Sequence, residues 1–405
     1  MDFDLFLLVC NYIGTIAFAA SGAIKGFDKH LDIFGISLLA IVTAVGGGIL
    51  RDSIISRFPS ALFDPSSIYL AIFVAIIILL YFVGIMRQNS KIGKNKQKME
   101  IVNVSYDPTR ELYERYNGLF KAYYKEKYGK DVNIIQSHGG SGSQARSVIE
   151  GLDADVVTLA LENDVALLEK VDLLEKGWID KFPGSSSPYT STIVFLVRKG
   201  NPQNIKDWND LAKKGVKVIT PDPKSSGGAC WNFLAAWSYG REKFGNDENK
   251  IQNFVKNIYD NVTVMDSGAR AATTTFVENN QGDVLIAWEN EAIATVKEYP
   301  DKYQIVYPSV SILAQPTVAV VDKIAKNDGT YQISTEYLKY LYSEKAQEII
   351  AESGYRPYDQ KVLKKYGNKL DLKMKLTKID NFGGWKKAYE KFFNEGALFD
   401  KIYEN

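Results

Sequence analysis

DVNIIQSHGGSGSQARSVI, Asp131–Ile149, is the stretch whose reading decides the fold of most of this chain. Its first part, Asp131–Ser137, carries Val132, Ile134 and Ile135 in the pattern of a strand. From Gly142 onward the spacing becomes that of a helix. His138, Gly139, Gly140 and Ser141 lie between. Small residues there let the backbone turn sharply and offer a start to the helix. The unit is therefore strand, glycine- and serine-rich turn, helix.

The same design recurs along the chain. IVNVSY (Ile101–Tyr106) reads as a strand and runs into SYDPTREL (Ser105–Leu112), where Asp107 suits a helix cap and Pro108 a first helical position. PKSSGGACWNFLAAW (Pro223–Trp237) and DSGARAATTTFVE (Asp266–Glu278) repeat the turn and the helix. ADVVTLAL (Ala154–Leu161), STIVFLVRKG (Ser191–Gly200) and TVAVVDK (Thr317–Lys323) read as further strands. This alternation predicts an α/β protein with partly parallel sheets, and its length suits two lobes better than one.

A helix N-terminus presents unpaired N–H groups and a partial positive charge, so it can seat an anion. One capped turn says little, because most helices need a cap. Four glycine- and serine-rich turns in one α/β unit are more suggestive of an oxyanion seat, although ordinary capping stays the preferred reading of the turns alone.

Hydrolysis finds no support. Around Ser141 a nucleophile elbow would need glycine two residues on, where Ser143 stands, and Lys224 occupies the first glycine position before Ser226. His138 is the one histidine near these turns, and no phosphate-binding P-loop pattern is present. No enzymatic activity is expected. Cys10 and Cys230, with His30 and His138, have no metal-ligand spacing, so neither a metal nor another cofactor is expected. The chain of 405 residues holds 49 basic and 48 acidic side chains, which gives no pull toward nucleic acid.

That charge balance hides a division. Leu5–Ile24, Ile33–Leu50 and Ile68–Met86 are apolar, each near the ~20 residues that cross a bilayer core. A cleaved signal peptide fits poorly, since no basic segment precedes Leu5. Gly46-Gly47-Gly48 in the second stretch allows close helix packing, the preferred reading, or a broken helix lining a path. RQNSKIGKNKQK (Arg87–Lys98) reads as a basic linker. The expected organisation is a three-span all-α membrane segment (1–86), a linker (87–98) and an α/β part (99–405).

Two resemblances bear on these parts. GTIAFAASGAIKGFDKHLDIFGISLLAIVTAVGGGILRDSI (Gly14–Ile54) resembles the first three-helix repeat of the trimeric intracellular cation channel family and its bacterial relatives. Members carry two inverted repeats and a seventh helix, whereas this chain shows one repeat. The motifs quoted from residue 101 onward, with GDVLIAWENEA (Gly282–Ala292) and YRPYD (Tyr355–Asp359), resemble the sulfate-binding receptors of bacterial ABC importers.

The second resemblance implies a type II two-lobed periplasmic binding protein. Lobe 1 would hold about 99–190 and 320–405, and lobe 2 about 191–319. It implies backbone N–H donors from Asp107, Ser141, Gly227, Gly228 and Ala269, and side-chain donors from Ser226 and Trp288. The Asp107 carboxylate would cap its own helix. Strands near Ile193–Val197 and Thr317–Val321 would form the hinge. The ligand would be sulfate, with thiosulfate as the alternative and molybdate or tungstate behind. The partners would be the membrane subunits of an ABC importer and, through residues 1–86, the lipid bilayer. A sensor fused to a degenerate channel or transporter is the competing arrangement. Lys224, Arg146 and Arg270 lie beside the motifs and are expected to pair with acids or steer the ligand.

A membrane-anchored receptor of this kind belongs in the periplasm. Arg87, Lys91, Lys94, Lys96 and Lys98 with Lys25 and Lys29 outnumber Arg51 and Arg57, and by the positive-inside rule they place the linker in the cytoplasm. The two expectations conflict.

Overall fold

The computed structural model describes residues 3–28, 33–54, 66–78 and 99–403. The chain divides into two compact units, Met1–Gln97 and Lys98–Asn405. The basic linker lies outside the described residues.

In the first unit, helix α1 (Phe3–Asp28) packs on α2 (Ile33–Ile54), and a third helix, α3 (Ser66–Ile78), joins them. Their core is small: Ala19 and Ala23 meet Ile36 and Ala40, with Ala71, Val74 and Ala75 from α3. Close approach is made at Gly22, where an added Cβ would stand 2.7 Å from the Leu39 carbonyl oxygen. The glycine triplet does not serve that purpose among the described residues. A Cβ on Gly47 or Gly48 would meet nothing within 4 Å. One described helical stretch, Gly35–Ile54, is long and apolar enough to cross a membrane, and α3 is shorter. The last part of the third expected span, 79–86, lies outside the described residues.

The second unit contains two larger sheets and two two-stranded ones. The first has the order β11-β3-β1-β2. In it β1 (Met99–Tyr106) pairs in parallel with β2 (Val132–Gly139) and β3 (Val156–Leu159). β11 (Thr317–Val320) runs antiparallel along β3. Side chains alternate across the sheet. Ile101 faces the core built with α4 (Arg110–Tyr128), and Val102 and Val104 face the core built with α5 (Ser141–Ile149) and α6 (Glu162–Lys170). Burial on both faces explains the nearly continuous apolar runs of β3 and β11.

The second sheet has the order β7-β6-β8-β5-β9. β6 (Val218–Pro221) lies parallel to β7 (Val262–Asp266) and β8 (Val284–Trp288). β5 (Ile193–Arg198) runs antiparallel to β8 and to β9 (Tyr303–Val306). Ile193, Phe195 and Val197 face one core, while Val194 and Leu196 face the other. Helix α7 (Gly227–Phe244) fills the first of these cores with Trp231, Phe233 and Trp237. Helix α8 (Ala269–Val277) places Ala272 and Phe276 in the second.

The lobe boundaries differ from expectation at both ends. β11 begins at Thr317 and belongs wholly to the first sheet, not partly to lobe 2. The chain from Lys375 onward is built into lobe 2 rather than lobe 1. There β13 (Lys375–Thr377) pairs with β10 (Val310–Ile312), and Trp385, Phe392, Phe399 and Ile402 join the α7 core. The physical reason is aromatic: Trp231 meets Trp385 edge-on at 4.6 Å, and Phe233 lies 5.5 Å from Phe392.

The hinge strands also differ. Ile193–Val197 is the interior of β5 and Thr317–Val320 is an edge strand of lobe 1. The crossings lie just outside them, where Ser191 and Ala314 exchange backbone hydrogen bonds at 2.9 Å. Beside them β4 (Tyr189–Thr190) pairs with β12 (Arg356–Pro357), next to the third crossing.

Candidate functional site

Parallel strands direct their carboxyl ends to one edge of each sheet, and the helices that follow begin there. β1 ends at Tyr106 and leads through the turn Asp107–Thr109 into α4. β2 leads through Gly140 into α5. In lobe 2, α7 begins after Ser226 and α8 after Gly268. Helix α9 (Glu289–Glu298) follows β8, with Trp288 as its extended N-cap. None of these caps makes a side-chain bond to its own helix. Apart from α9, whose first amide donates to the Thr192 carbonyl, their first N–H groups are left for another acceptor.

These helix starts meet in one small cavity. Its lining includes Asp107, Ser141, Ser226, Gly227, Gly228, Ala269 and Trp288, so all seven residues singled out from the sequence are brought together. The lining also includes Tyr106, Pro108, Gly139, Gly140 and Ala160, and contains no Lys, Arg or His. Two roomier clefts lie elsewhere, one against the C-terminal helices and one between α4 and α9. Size does not mark the site here; convergence of donors does.

The lobes meet tightly around the cavity. An added Cβ on Gly140 would stand 2.7 Å from the Ser225 carbonyl oxygen, and one on Gly227 would stand 2.9 Å from Ala160 Cβ. On Gly228 it would fall 2.4 Å from Trp288 Nε1. That indole N–H is buried and has no hydrogen-bond partner among the described residues. A buried donor without an acceptor is costly, so its placement against the helix starts points to an acceptor that arrives from outside. The Tyr106 ring backs it at 5.5 Å.

Ser141 and Ser226 contribute differently. The Ser141 hydroxyl donates to Asp164 Oδ2 at 2.5 Å and accepts from the Ala160 amide at 3.0 Å, so its backbone N–H is the group left for the cavity. Burial pushes the Asp164 carboxyl up to about 6, against the lowering effects of the Ser141 bond and of Arg146. The Ser226 hydroxyl forms no cap bond and remains a side-chain donor.

Asp107 departs from expectation. It lies inside its turn rather than at a cap, and the extended cap residue is Tyr106. A Cβ on Gly268 would be 2.7 Å from its carboxylate oxygen Oδ2, so the carboxylate faces the opposite lobe. Burial raises its pKa, opposed by Arg110 and Arg270.

The flanking cations are engaged elsewhere. Lys224 pairs with Asp400 at 2.6 Å and also donates to the Phe393 and Asn394 carbonyls. Arg270 contacts both oxygens of Glu111 across the lobes, at 2.7 and 2.8 Å, and Glu291 at 3.2 Å. Arg146 donates to the Ser143 hydroxyl rather than to an acid. His138 shares a 2.6 Å contact with Ser105 Oγ, and burial, reinforced by Arg110, lowers its pKa to about 4.

Sequence reasoning on local pattern missed Trp288, because a lone tryptophan after a strand reads as core; the family resemblance supplied it. Gly140 escaped both readings, although its closeness to Ser225 is what lets the lobes meet.

Comparison with known proteins agrees with this architecture. A family model described as bacterial extracellular solute-binding protein matches residues 103–356, and one described as glycine transporter matches residues 8–84. The sulfate-binding protein of Escherichia coli is 58% identical over 306 residues, covering 75% of this chain and 93% of that protein. The thiosulfate-binding protein of Pseudomonas aeruginosa is 44% identical over 305 residues, covering 75% and 92%. The solved sulfate-binding protein SubI from Mycobacterium tuberculosis superposes with a TM-score of 0.65 at 33% identity, covering 73% of this chain and 100% of that one. From about residue 99 onward, the chain belongs to the bacterial extracellular solute-binding protein family, alongside the sulfate- and thiosulfate-binding proteins.

Proposed function

We propose that residues 99–405 capture sulfate between the two lobes and present it to the membrane subunits of an ABC importer, without acting on it chemically. The observation that carries this reading is the unpartnered Trp288 N–H beside four helix starts, in a cavity lined by no cationic side chain. The ligand's donors are the backbone N–H groups of Asp107, Ser141, Gly227, Gly228 and Ala269, with the Ser226 hydroxyl and the Trp288 indole.

Sulfate is a dianion that only accepts hydrogen bonds. Preorganised peptide dipoles can hold it without a salt bridge. Phosphate near neutral pH carries an O–H that needs an acceptor. A donor-only cavity leaves that group unpaired, at a cost of about 1–3 kcal/mol. Thiosulfate is the second reading, supported by the thiosulfate-binding relative. It too offers only acceptors.

Calorimetry on the full-length chain tests the proposal. Sulfate should bind at micromolar concentration or tighter, and phosphate at least tenfold more weakly at pH 7. Equal affinity for the two anions would sink the donor-only site, and a thiosulfate titration ranks the second reading. The residue 1–97 unit is proposed to anchor this receptor at the outer face of the membrane.

A further inference from the structure

Glu289 and Arg356 form the one ion pair among the described residues in which both side chains are buried, at 0% and 6% exposure. Arg356 Nε donates to Glu289 Oε2 at 2.7 Å and Nη2 to Oε1 at 2.9 Å. Nη2 also donates to the Asp371 carbonyl at 2.9 Å. Glu289 directly follows Trp288 and opens α9. Its amide donates to the Thr192 carbonyl at 2.9 Å. Arg356 stands on β12 opposite Thr190 of β4. Both ends of the pair are thus tied to the crossing at residues 190–192.

A buried ion pair is a poor source of net stability, because its desolvation cost rivals its attraction. Its use lies in geometry: a side-on guanidinium–carboxylate pair admits one arrangement. We propose that Arg356 and Glu289 are positioning residues for Trp288. They fasten the residue after it to the hinge and hold the indole N–H at the cavity in both lobe positions. A group beside the hinge axis moves little when the lobes close. The donor is therefore set before the anion arrives, while the helix starts farther from the axis come together around it. Gly228 and the Tyr106 ring pack against the indole. This inference rests on the reading that Trp288 donates to the bound anion.

A double-mutant cycle on the full-length chain tests it, with sulfate titrated by calorimetry and folding followed by thermal melts. Glu289→Gln should weaken sulfate about tenfold where Trp288 is present, as expected when a bond to a charged ligand is misaligned. In the Trp288→Phe background the same change should leave the dissociation constant unaltered. Arg356→Lys keeps the charge but loses the side-on fork, and should reproduce the result. It serves where Glu289→Gln fails to fold. Equal losses in the two backgrounds would overturn the positioning role while leaving the sulfate site standing. No loss from Trp288→Phe itself would overturn both the site reading and this inference.

Discussion

Trp288 carries the sharpest single-residue expectation. Its N–H is buried and unpartnered, and Gly228 leaves it the space it occupies. Trp288→Phe keeps most of the ring volume and removes the donor. It should weaken sulfate binding by about 1–3 kcal/mol, the worth of a hydrogen bond to a charged group. An unchanged dissociation constant removes Trp288 from the site. Two of the titrating groups near the cavity, His138 and Asp164, pull stability in opposite directions. His138 falls from 6.5 to about 4 on folding, so between those values the unfolded chain holds more protons and stability drops as pH falls. Asp164 rises from 3.8 to about 6, so the folded chain holds the extra proton in that window and stability grows as pH falls. His138→Gln should therefore move the optimum of urea stability toward acid, and Asp164→Asn toward neutral pH. Urea midpoints between pH 4 and 7 that shift the other way would contradict these environments.

At the scale of elements, the strand–turn–helix units were legible because each is a local pattern. Apolar alternation marks the strand, Gly and Ser the turn, and amphipathic spacing the helix. The C-terminal helices Gly384–Phe392 and Leu398–Tyr403 were placed in the wrong lobe, because their aromatic residues would suit any apolar surface. Pairing of Trp385 with Trp231 is a long-range choice that no local spacing records. That contact should matter to lobe 2. Trp385→Ala should cost about 3–5 kcal/mol in denaturant unfolding, the usual range for emptying a buried tryptophan position. A loss under about 1 kcal/mol would mean the helix does not brace α7, since surface changes stay below that.

At the scale of the whole molecule, the open conflict is the side of the membrane. The importer-linked role needs residues 99–405 outside the cytoplasm, while the lysines after the third apolar stretch favour the inside. Protease added to spheroplasts should digest the linker at 87–98 and release the receptor. Protection there, with cleavage after lysis, would place the receptor in the cytoplasm and defeat the scavenging role.

The chain by itself determined the two-part organisation, the α/β texture and the identity of the turns, because these are written in local spacing and composition. Tertiary structure alone decided that those turns converge, that the lobes meet at Gly140 and Gly227, and that the C-terminus joins lobe 2. Convergence depends on distances between residues far apart in sequence, set by which apolar faces fit together. The cavity is a property of that packing, although the turns that line it come from short motifs.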